Sequence, residues 1–333
     1  VKTAFVTGGT GFIGGRLVSL LVARGVEVCA LARSKAGQEK VKALGALPIP
    51  GDVTDPASMK DAMRGSDVVF HVAAMYEVGA RYARQMQLVN VDGARYVFET
   101  AMEVGVPKIV YTSTAAVHGD TKGKMVDENH SVPFDALKSS TVYEQTKWRA
   151  HYEVALPMIQ KGAPIIIVES GGVYGPEDHS VVGDLLELYV RGRLPILPDR
   201  DTTFTFTYVD DIAEGHILAA EKGRIGESYC MGYKPVSFGT LLDLCAQVSG
   251  RPKVLLKIPS AFVRPTWPLM ALIEKIIPLP AMFSGEAVRS VGTTWIVSCK
   301  KAQDELGWNP RPAEEGLKLT FDWLNKKYNQ SQR

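Results

Sequence analysis

The chain has 333 residues, of which 46% are hydrophobic and 22% charged, with a formal net charge of +2. That length supports one large domain or two smaller ones sharing a cleft. A small charge spread along the chain, with no basic stripe, argues against a nucleic-acid partner. The four cysteines, Cys29, Cys230, Cys245 and Cys299, stand far apart in the sequence and form none of the close pairs used by metal sites or redox motifs. They read as small buried hydrophobes of a protein in a reducing cytoplasm, and no metal is expected.

The first half alternates short apolar runs with helical patterns, which predicts parallel strands joined by crossover helices. Strands are predicted at Thr3–Thr7, Glu27–Ala32, Leu47–Pro50, Asp67–Val72, Lys108–Ser113 and Ile165–Glu169. The first of them is only a strand long and lacks a basic leader and a cleavage site, so it does not read as a signal peptide. Long helical patterns cover roughly 82–104 and 142–159. Each carries an outer face that a sheet cannot cover, and a pair from each of two subunits predicts a four-helix contact in a homodimer. From about Gly172 the pattern loosens, as expected where a smaller lobe grows from the sheet's C-terminal edge. The fold class is therefore α/β: a Rossmann-type, doubly wound parallel sheet, mainly residues 1–170, with a smaller C-terminal α+β substrate lobe. That lobe is mainly 171–333, with some of its strands and helices returning to the first domain. The apolar stretch 261–283 is interrupted by Arg264, Pro265, Pro268, Glu274, Lys275, Pro278 and Pro280, which excludes a membrane span. A surface helix or a lid over the substrate fits it.

In open parallel sheets ligands sit beyond the carboxyl ends of the strands, so the residues following each strand carry the functional reading. After the first comes Gly8-Gly9-Thr10-Gly11-Phe12-Ile13-Gly14. Gly8 permits the tight turn, Gly11 lets the backbone approach a pyrophosphate, Gly14 lets helix and strand pack closely, and the helix N-terminus attracts the phosphates. After the second strand stand Arg33 and Lys35, where an NAD site would offer an acid to the ribose 2′-hydroxyl. A guanidinium there matches a 2′-phosphate, which favours NADP, with NAD as the alternative. Asp52 and Val53 suit an adenine edge, and Val72, Ala73 and Ala74 supply small side chains where backbone must come near the cofactor.

Of the twelve tyrosines only Tyr143 has a lysine, Lys147, four residues on, which places phenol and ammonium on one face of a helix. A nearby cation stabilises a phenolate and brings the group closer to working pH as a proton donor or acceptor. The fifth strand ends in Thr112-Ser113-Thr114, whose hydroxyls suit a carbonyl oxygen on which charge builds.

Together these pieces resemble the extended short-chain dehydrogenases/reductases, the superfamily of nucleotide-sugar epimerases, dehydratases and dihydroflavonol-type reductases. The resemblance covers nearly the whole chain, through the glycine turn, Gly51-Asp52-Val53, His71-Val72-Ala73-Ala74, Asn90-Val91-Asp92-Gly93, Thr112-Ser113-Thr114, Tyr143 with Lys147, Val173-Tyr174-Gly175-Pro176 and Tyr208-Val209-Asp210-Asp211. It implies that Tyr143 is the catalytic acid/base, that Lys147 holds the nicotinamide ribose and lowers the Tyr143 pKa, and that Thr114 orients the substrate, with Ser113 the neighbouring candidate. It also places Asn90, Thr112, Ser113, Gly172 and Val173 among the cofactor contacts.

Two departures matter. Members often carry Arg-Pro ahead of Val-Tyr-Gly-Pro, where this chain has Glu169-Ser170-Gly171-Gly172. Sugar-nucleotide enzymes tend to place a diphosphate-clamping arginine where Phe204 stands, although Arg191, Arg193 or Arg200 lie close enough in sequence to substitute. The resemblance thus implies an NADP-dependent reductase of a ketone or aldehyde. The alternatives are a nucleotide-sugar epimerase or dehydratase, to which Trp308-Asn309-Pro310-Arg311-Pro312 points, and a non-catalytic cofactor-sensing protein. Substrate contacts are expected from 75–81, 118–129, 177–197 and 261–283, with His118 read as a polar loop residue.

Overall fold

The computed structural model describes residues 1–77, 79–138, 140–277 and 283–330; residues 278–282 of the stretch read above as a lid lie outside the described residues. The six N-terminal strands are β1 (Thr3–Thr7), β2 (Glu27–Ala32), β3 (Leu47–Pro50), β4 (Val68–His71), β5 (Ile109–Thr114) and β6 (Ile165–Ser170). The first three coincide with the sequence expectation. Strands β5 and β6 each run one residue further, because Thr114 and Ser170 still pair with one another. The second half of the chain contributes β7 (Gly172–Tyr174), β8 (Ile196–Leu197), β9 (Thr203–Tyr208), β10 (Ser228–Met231), β11 (Lys234–Ser237), β12 (Leu256–Lys257) and β13 (Thr294–Trp295).

The main sheet has seven parallel strands in the order β10-β6-β5-β4-β1-β2-β3. It is the expected doubly wound Rossmann-type sheet, closed at one edge by a strand returning from the second half. Strand order reverses between β1 and β4, and the crevice beyond these ends is where such sheets bind ligands. Both faces are buried. Val6, Leu17, Leu21, Ile212, Ile217 and Trp308 pack on one, while Phe5, Val69, Phe98, Tyr111 and Val154 pack on the other. Neighbouring β1 residues Phe5 and Val6 therefore serve opposite layers, as strand alternation requires. The smaller sheet centres on β9, which pairs with β7, β11 and β13 and carries its own core of Tyr174, Leu186, Phe206, Tyr208, Phe238 and Phe321.

The two long helical patterns are not uniform. The first is α-helical over Ala83–Met86 and Gly93–Glu103, with a wider π-type turn at Gln87–Asp92 between; the second has Val142–Arg149 and Leu156–Gln160 flanking a π-type turn at Ala150–Ala155. Such turns realign side chains and recur at functional sites. They carry Asn90 and His151.

The Tyr208–Asp211 and Trp308–Pro312 motifs meet each other. Trp308 Nε1 donates to the Asp211 carbonyl at 2.8 Å, and Arg311 pairs with the Asp211 carboxylate at 2.9 Å. They lock the C-terminal segment to the helix Val209–Lys222. Among the described residues no helix is long and apolar enough to cross a membrane.

Candidate active site

Three chain segments converge at the glycine turn. Gly8 has φ +77°, and a Cβ on it would stand 2.6 Å from the Ala73 nitrogen; one on Gly14 would stand 2.1 Å from the Gly8 carbonyl oxygen. Any side chain at either position would push apart the turn, the helix or the segment after β4. The helix Phe12–Ala23 starts at Gly11 with no side-chain cap and no acid in its first turn, so no side chain competes for its first N–H groups. Free N–H groups at the positive end of a helix dipole hold an anion. The turn therefore fits the diphosphate of a dinucleotide, with Gly9, Thr10, Phe12 and Ile13 bordering it. Beneath it the buried Thr7 hydroxyl bonds His71 Nδ1 at 2.8 Å and accepts from Ala73 N at 3.3 Å, which ties β1 to β4 at the crevice.

At the crevice mouth Arg33 is exposed, its Nε 3.8 Å from Asp52 Oδ2. The other Asp52 oxygen accepts from Thr54 N and Oγ1, each at 2.9 Å. Lys35, also exposed, opens the helix Lys35–Ala43, which Ser34 caps through Gly37 N. Val53 is buried, Val72 and Ala73 are half-buried, and Ala74 is exposed at the crevice.

Asn90 is 2% exposed and fully used. Its Oδ1 accepts from Met75 N at 2.7 Å, and its Nδ2 donates to Met75 O and to Thr146 Oγ1, both at 3.0 Å. One amide thus fixes the chain leaving β4 against the helix that carries Tyr143 and Lys147. That helix is capped by Thr141, whose Oγ1 accepts from Glu144 N at 3.2 Å and whose hydroxyl donates to Glu144 Oε1 at 2.9 Å. Glu286, from the second half, accepts from Val142 N and, at 2.6 Å, from Gly79 N. Glu286 was not foreseen from sequence, since a lone acid far along the chain carries no local pattern.

The ring of Tyr143 stands edge-on to Tyr76 with centroids 4.7 Å apart. Lys147, 3% exposed, donates to the Thr112 carbonyl at 2.7 Å and to the Tyr111 hydroxyl at 3.2 Å. Burial brings the lysine down to about 7. The expected lowering of Tyr143 is absent from this arrangement: burial first, then Tyr76 and Glu144, push its phenol well above the ordinary range. Desolvation of a phenolate outweighs a cation that is already engaged elsewhere.

The three hydroxyls after β5 separate. Thr112 Oγ1 bonds His216 Nε2 at 2.7 Å and Ser113 Oγ bonds His151 Nδ1 at 3.0 Å, so both are committed to buried histidines. Among the described residues Thr114 Oγ1 accepts only a long 3.3 Å bond from Ala116 N, and it is half-exposed. Gly172 and Val173 lie on β7, half-buried beside Phe206 and Phe204. His118 is not a loop residue: it is 1% exposed and pairs with Glu169 at 2.7 Å.

Phe204 stacks on Trp295, with centroids 4.7 Å apart and planes 16° from parallel, and joins Phe206 and Phe238. Of the three substitute arginines, Arg191 pairs with Glu187, Arg200 pairs with Asp201, and Arg193 lines a cleft with Leu188, Leu194, Ile196 and Phe283.

The pattern of the 3-beta hydroxysteroid dehydrogenase/isomerase family matches residues 5–227, which include the glycine turn, Asn90, Thr114, Tyr143 and Lys147. The chain belongs to this family. It is an NAD(P)-dependent enzyme of the extended short-chain dehydrogenase/reductase class, as the sequence motifs imply. A relative described as 4-hydroxy-2-methyl-3-oxo-4-farnesyl-3,4-dihydroquinoline-1-oxide ketoreductase, from Stigmatella aurantiaca, is 32% identical, with 94% of each chain covered. Sterol demethylase protein B of Methylococcus capsulatus is 30% identical over 98% of this chain and 99% of its own. The crystal structure of gox2253 superimposes with a TM-score of 0.84 at 30% identity, covering 98% of this chain and 99% of that one. UDP-glucose 4-epimerase of Thermotoga maritima, at 24% identity and a TM-score of 0.78 over 98% of this chain and 99% of its own, shares the fold.

Proposed function

We propose that this family member is an NADP-dependent reductase of a ketone or aldehyde, with Tyr143 as general acid. Arg33 and Lys35 hold the 2′-phosphate at the crevice mouth, the glycine turn holds the diphosphate, and Lys147 holds the nicotinamide ribose. A nicotinamide cofactor held there would supply the hydride. Tyr143 is a protonated phenol over the working pH range, so it has a proton to give to the oxygen on which charge develops. Thr114, the least committed of the three hydroxyls, orients that oxygen by a hydrogen bond. Asn90 keeps the helix of Tyr143 in register with the crevice through Thr146.

The observation that carries the reductase reading is the stack of Phe204 on Trp295. An aromatic pair stands where a sugar-nucleotide enzyme tends to have an arginine, and it offers a diphosphate no charge-assisted bond. Apolar side chains also remain outside on the described part of the 261–283 segment, among them Phe262 at 74% and Ile276 at 78% exposure. They favour an apolar carbonyl substrate, in keeping with the ketoreductase relative.

The deciding experiment is a panel of aldehydes, ketones and UDP-, GDP- and dTDP-sugars with each cofactor, following nicotinamide absorbance and sugar products together. Net oxidation of NADPH by an apolar ketone supports the reading. Sugar conversion without net cofactor turnover replaces it by the epimerase alternative. We further propose a homodimer formed through the outer faces of the helical stretches 83–103 and 142–160, where Leu88 and Met102 stay 44% and 40% exposed. A monomer mass at every concentration tested refutes it.

A further inference from the structure

Strands β6 and β10 are parallel neighbours, and Glu169 is the register partner of Cys230. His118, at the end of a short 3-10 turn after β5, reaches the same spot. The three side chains come from distant parts of the sequence and none is more than 1% exposed. Nε2 of His118 lies 2.7 Å from Glu169 Oε2, Cys230 Sγ lies 3.2 Å from that oxygen, and sulfur and nitrogen are 3.9 Å apart. Among the described residues this is the one group of three such donor atoms within 4.8 Å of one another.

We infer that His118, Glu169 and Cys230 form a binding site for a single divalent metal ion of the zinc class. The separations leave a point about 2 Å from all three atoms, which is the Zn–N and Zn–O bond length and slightly short of roughly 2.3 Å for Zn–S. A mixed nitrogen, oxygen and sulfur set suits zinc and its late first-row neighbours, whereas magnesium and calcium want oxygen alone. The second oxygen of the same carboxylate, Glu169 Oε1, is buried without a hydrogen-bond partner among the described residues, its nearest recorded polar neighbour being His151 Nε2 at 3.9 Å. An orphaned carboxylate oxygen inside a protein needs an explanation, and a cation supplies one.

The surroundings are those of a ligand set. His118 Nδ1 lies 2.6 Å from the His130 carbonyl, the second-nitrogen contact that orients metal-bound imidazoles. Cys230 is held through its backbone N–H by Glu128 Oε1 at 2.7 Å. Charge also balances. A carbonyl and a carboxylate oxygen only accept, so both ring nitrogens of His118 carry hydrogen, and the Cys230 thiol is the donor to Glu169. A divalent ion takes the place of the Nε2 proton and the thiol proton, both of which leave as H⁺. The buried site keeps its net charge, and no redox change is involved.

The test is to express the untagged chain in zinc-supplemented medium, measure metal after desalting, and refold the unfolded chain with one equivalent of Co²⁺ to reach the enclosed site. We expect about one zinc per chain, a thermal midpoint that falls when a chelator is present during refolding, and a thiolate-to-cobalt charge-transfer band. Cys230→Ser should abolish the band and most of the retained zinc, His118→Gln should lower retained zinc likewise, and Cys29→Ser should change neither. Far less than one zinc per wild-type chain together with no thiolate band overturns the assignment, as does a band that survives in Cys230→Ser. Where neither variant folds, the wild-type band alone decides.

Discussion

The Nζ of Lys147 donates to the carbonyl oxygen of Thr112 at 2.7 Å, pinning the helix Val142–Arg149 to the C-terminal end of β5. Burial accompanies this contact and brings the lysine from its ordinary 10.5 down to about 7. In the unfolded chain the residue is protonated below 10.5, in the folded one only below about 7. Between these values the unfolded state binds more protons, so the contribution of Lys147 to stability falls as pH drops through the window and is lowest below 7. Lys147→Met loses two hydrogen bonds at every pH but escapes this penalty. Its thermal midpoint, measured without cofactor, should therefore improve relative to the parent from pH 10 down to pH 7 and level off below. A difference constant with pH contradicts the burial of this ammonium.

Asn90 joins Met75 to Thr146 with three hydrogen bonds from one buried amide. Asn90→Ala leaves these groups unpaired in the interior. The expected loss is about 1–3 kcal/mol of unfolding free energy, read from denaturant midpoints at unchanged slope. Turnover should fall as well, because the helix that carries Tyr143 then loses its direct tie to Met75 and keeps only the Glu286 bridge to the segment leaving β4. A variant of parental stability and activity shows that the amide does neither job.

Arg33 is exposed and paired only loosely with Asp52, at 3.8 Å, so it is available to a ligand at small cost. Arg33→Glu turns an attraction to a 2′-phosphate into a repulsion and adds a second acid beside Asp52. NADPH affinity should fall by more than tenfold while NADH affinity changes little or rises. Fluorescence titration of both cofactors into both proteins measures this, and an unchanged preference removes Arg33 from the cofactor site.

The first six strands were legible because each is a short, β-branched or apolar run bounded by turn residues, and a parallel sheet buried on both faces demands such runs. The glycine turn was equally plain, since three close approaches at Gly8, Gly11 and Gly14 leave a local trace. What escaped is what the fold assembles from afar. Glu286 reaches Val142 and Gly79 across more than a hundred residues, and no spacing announces it. His118 read as a loop residue because its partner, Glu169, lies on another strand. The π-type turns at Asn90 and His151 stayed hidden too, because one extra residue in a turn does not disturb an apolar pattern.

The mechanistic assignment rests on the phenolic oxygen of Tyr143, and removing that atom alone separates chemistry from binding. Tyr143→Phe keeps the edge-on contact with Tyr76, since this involves the ring. The helix start keeps its Thr141 cap and its Glu286 contact. Stability and cofactor affinity should therefore stay near the parental values. Turnover should fall by at least about 10²-fold, the low end for a lost general acid, because the carbonyl oxygen must then take its proton from water. Steady-state kinetics on the substrate identified by the panel, with cofactor titration alongside, gives both numbers. Near-normal turnover in Tyr143→Phe moves the proton donor elsewhere. Lost turnover together with lost cofactor affinity makes the residue structural.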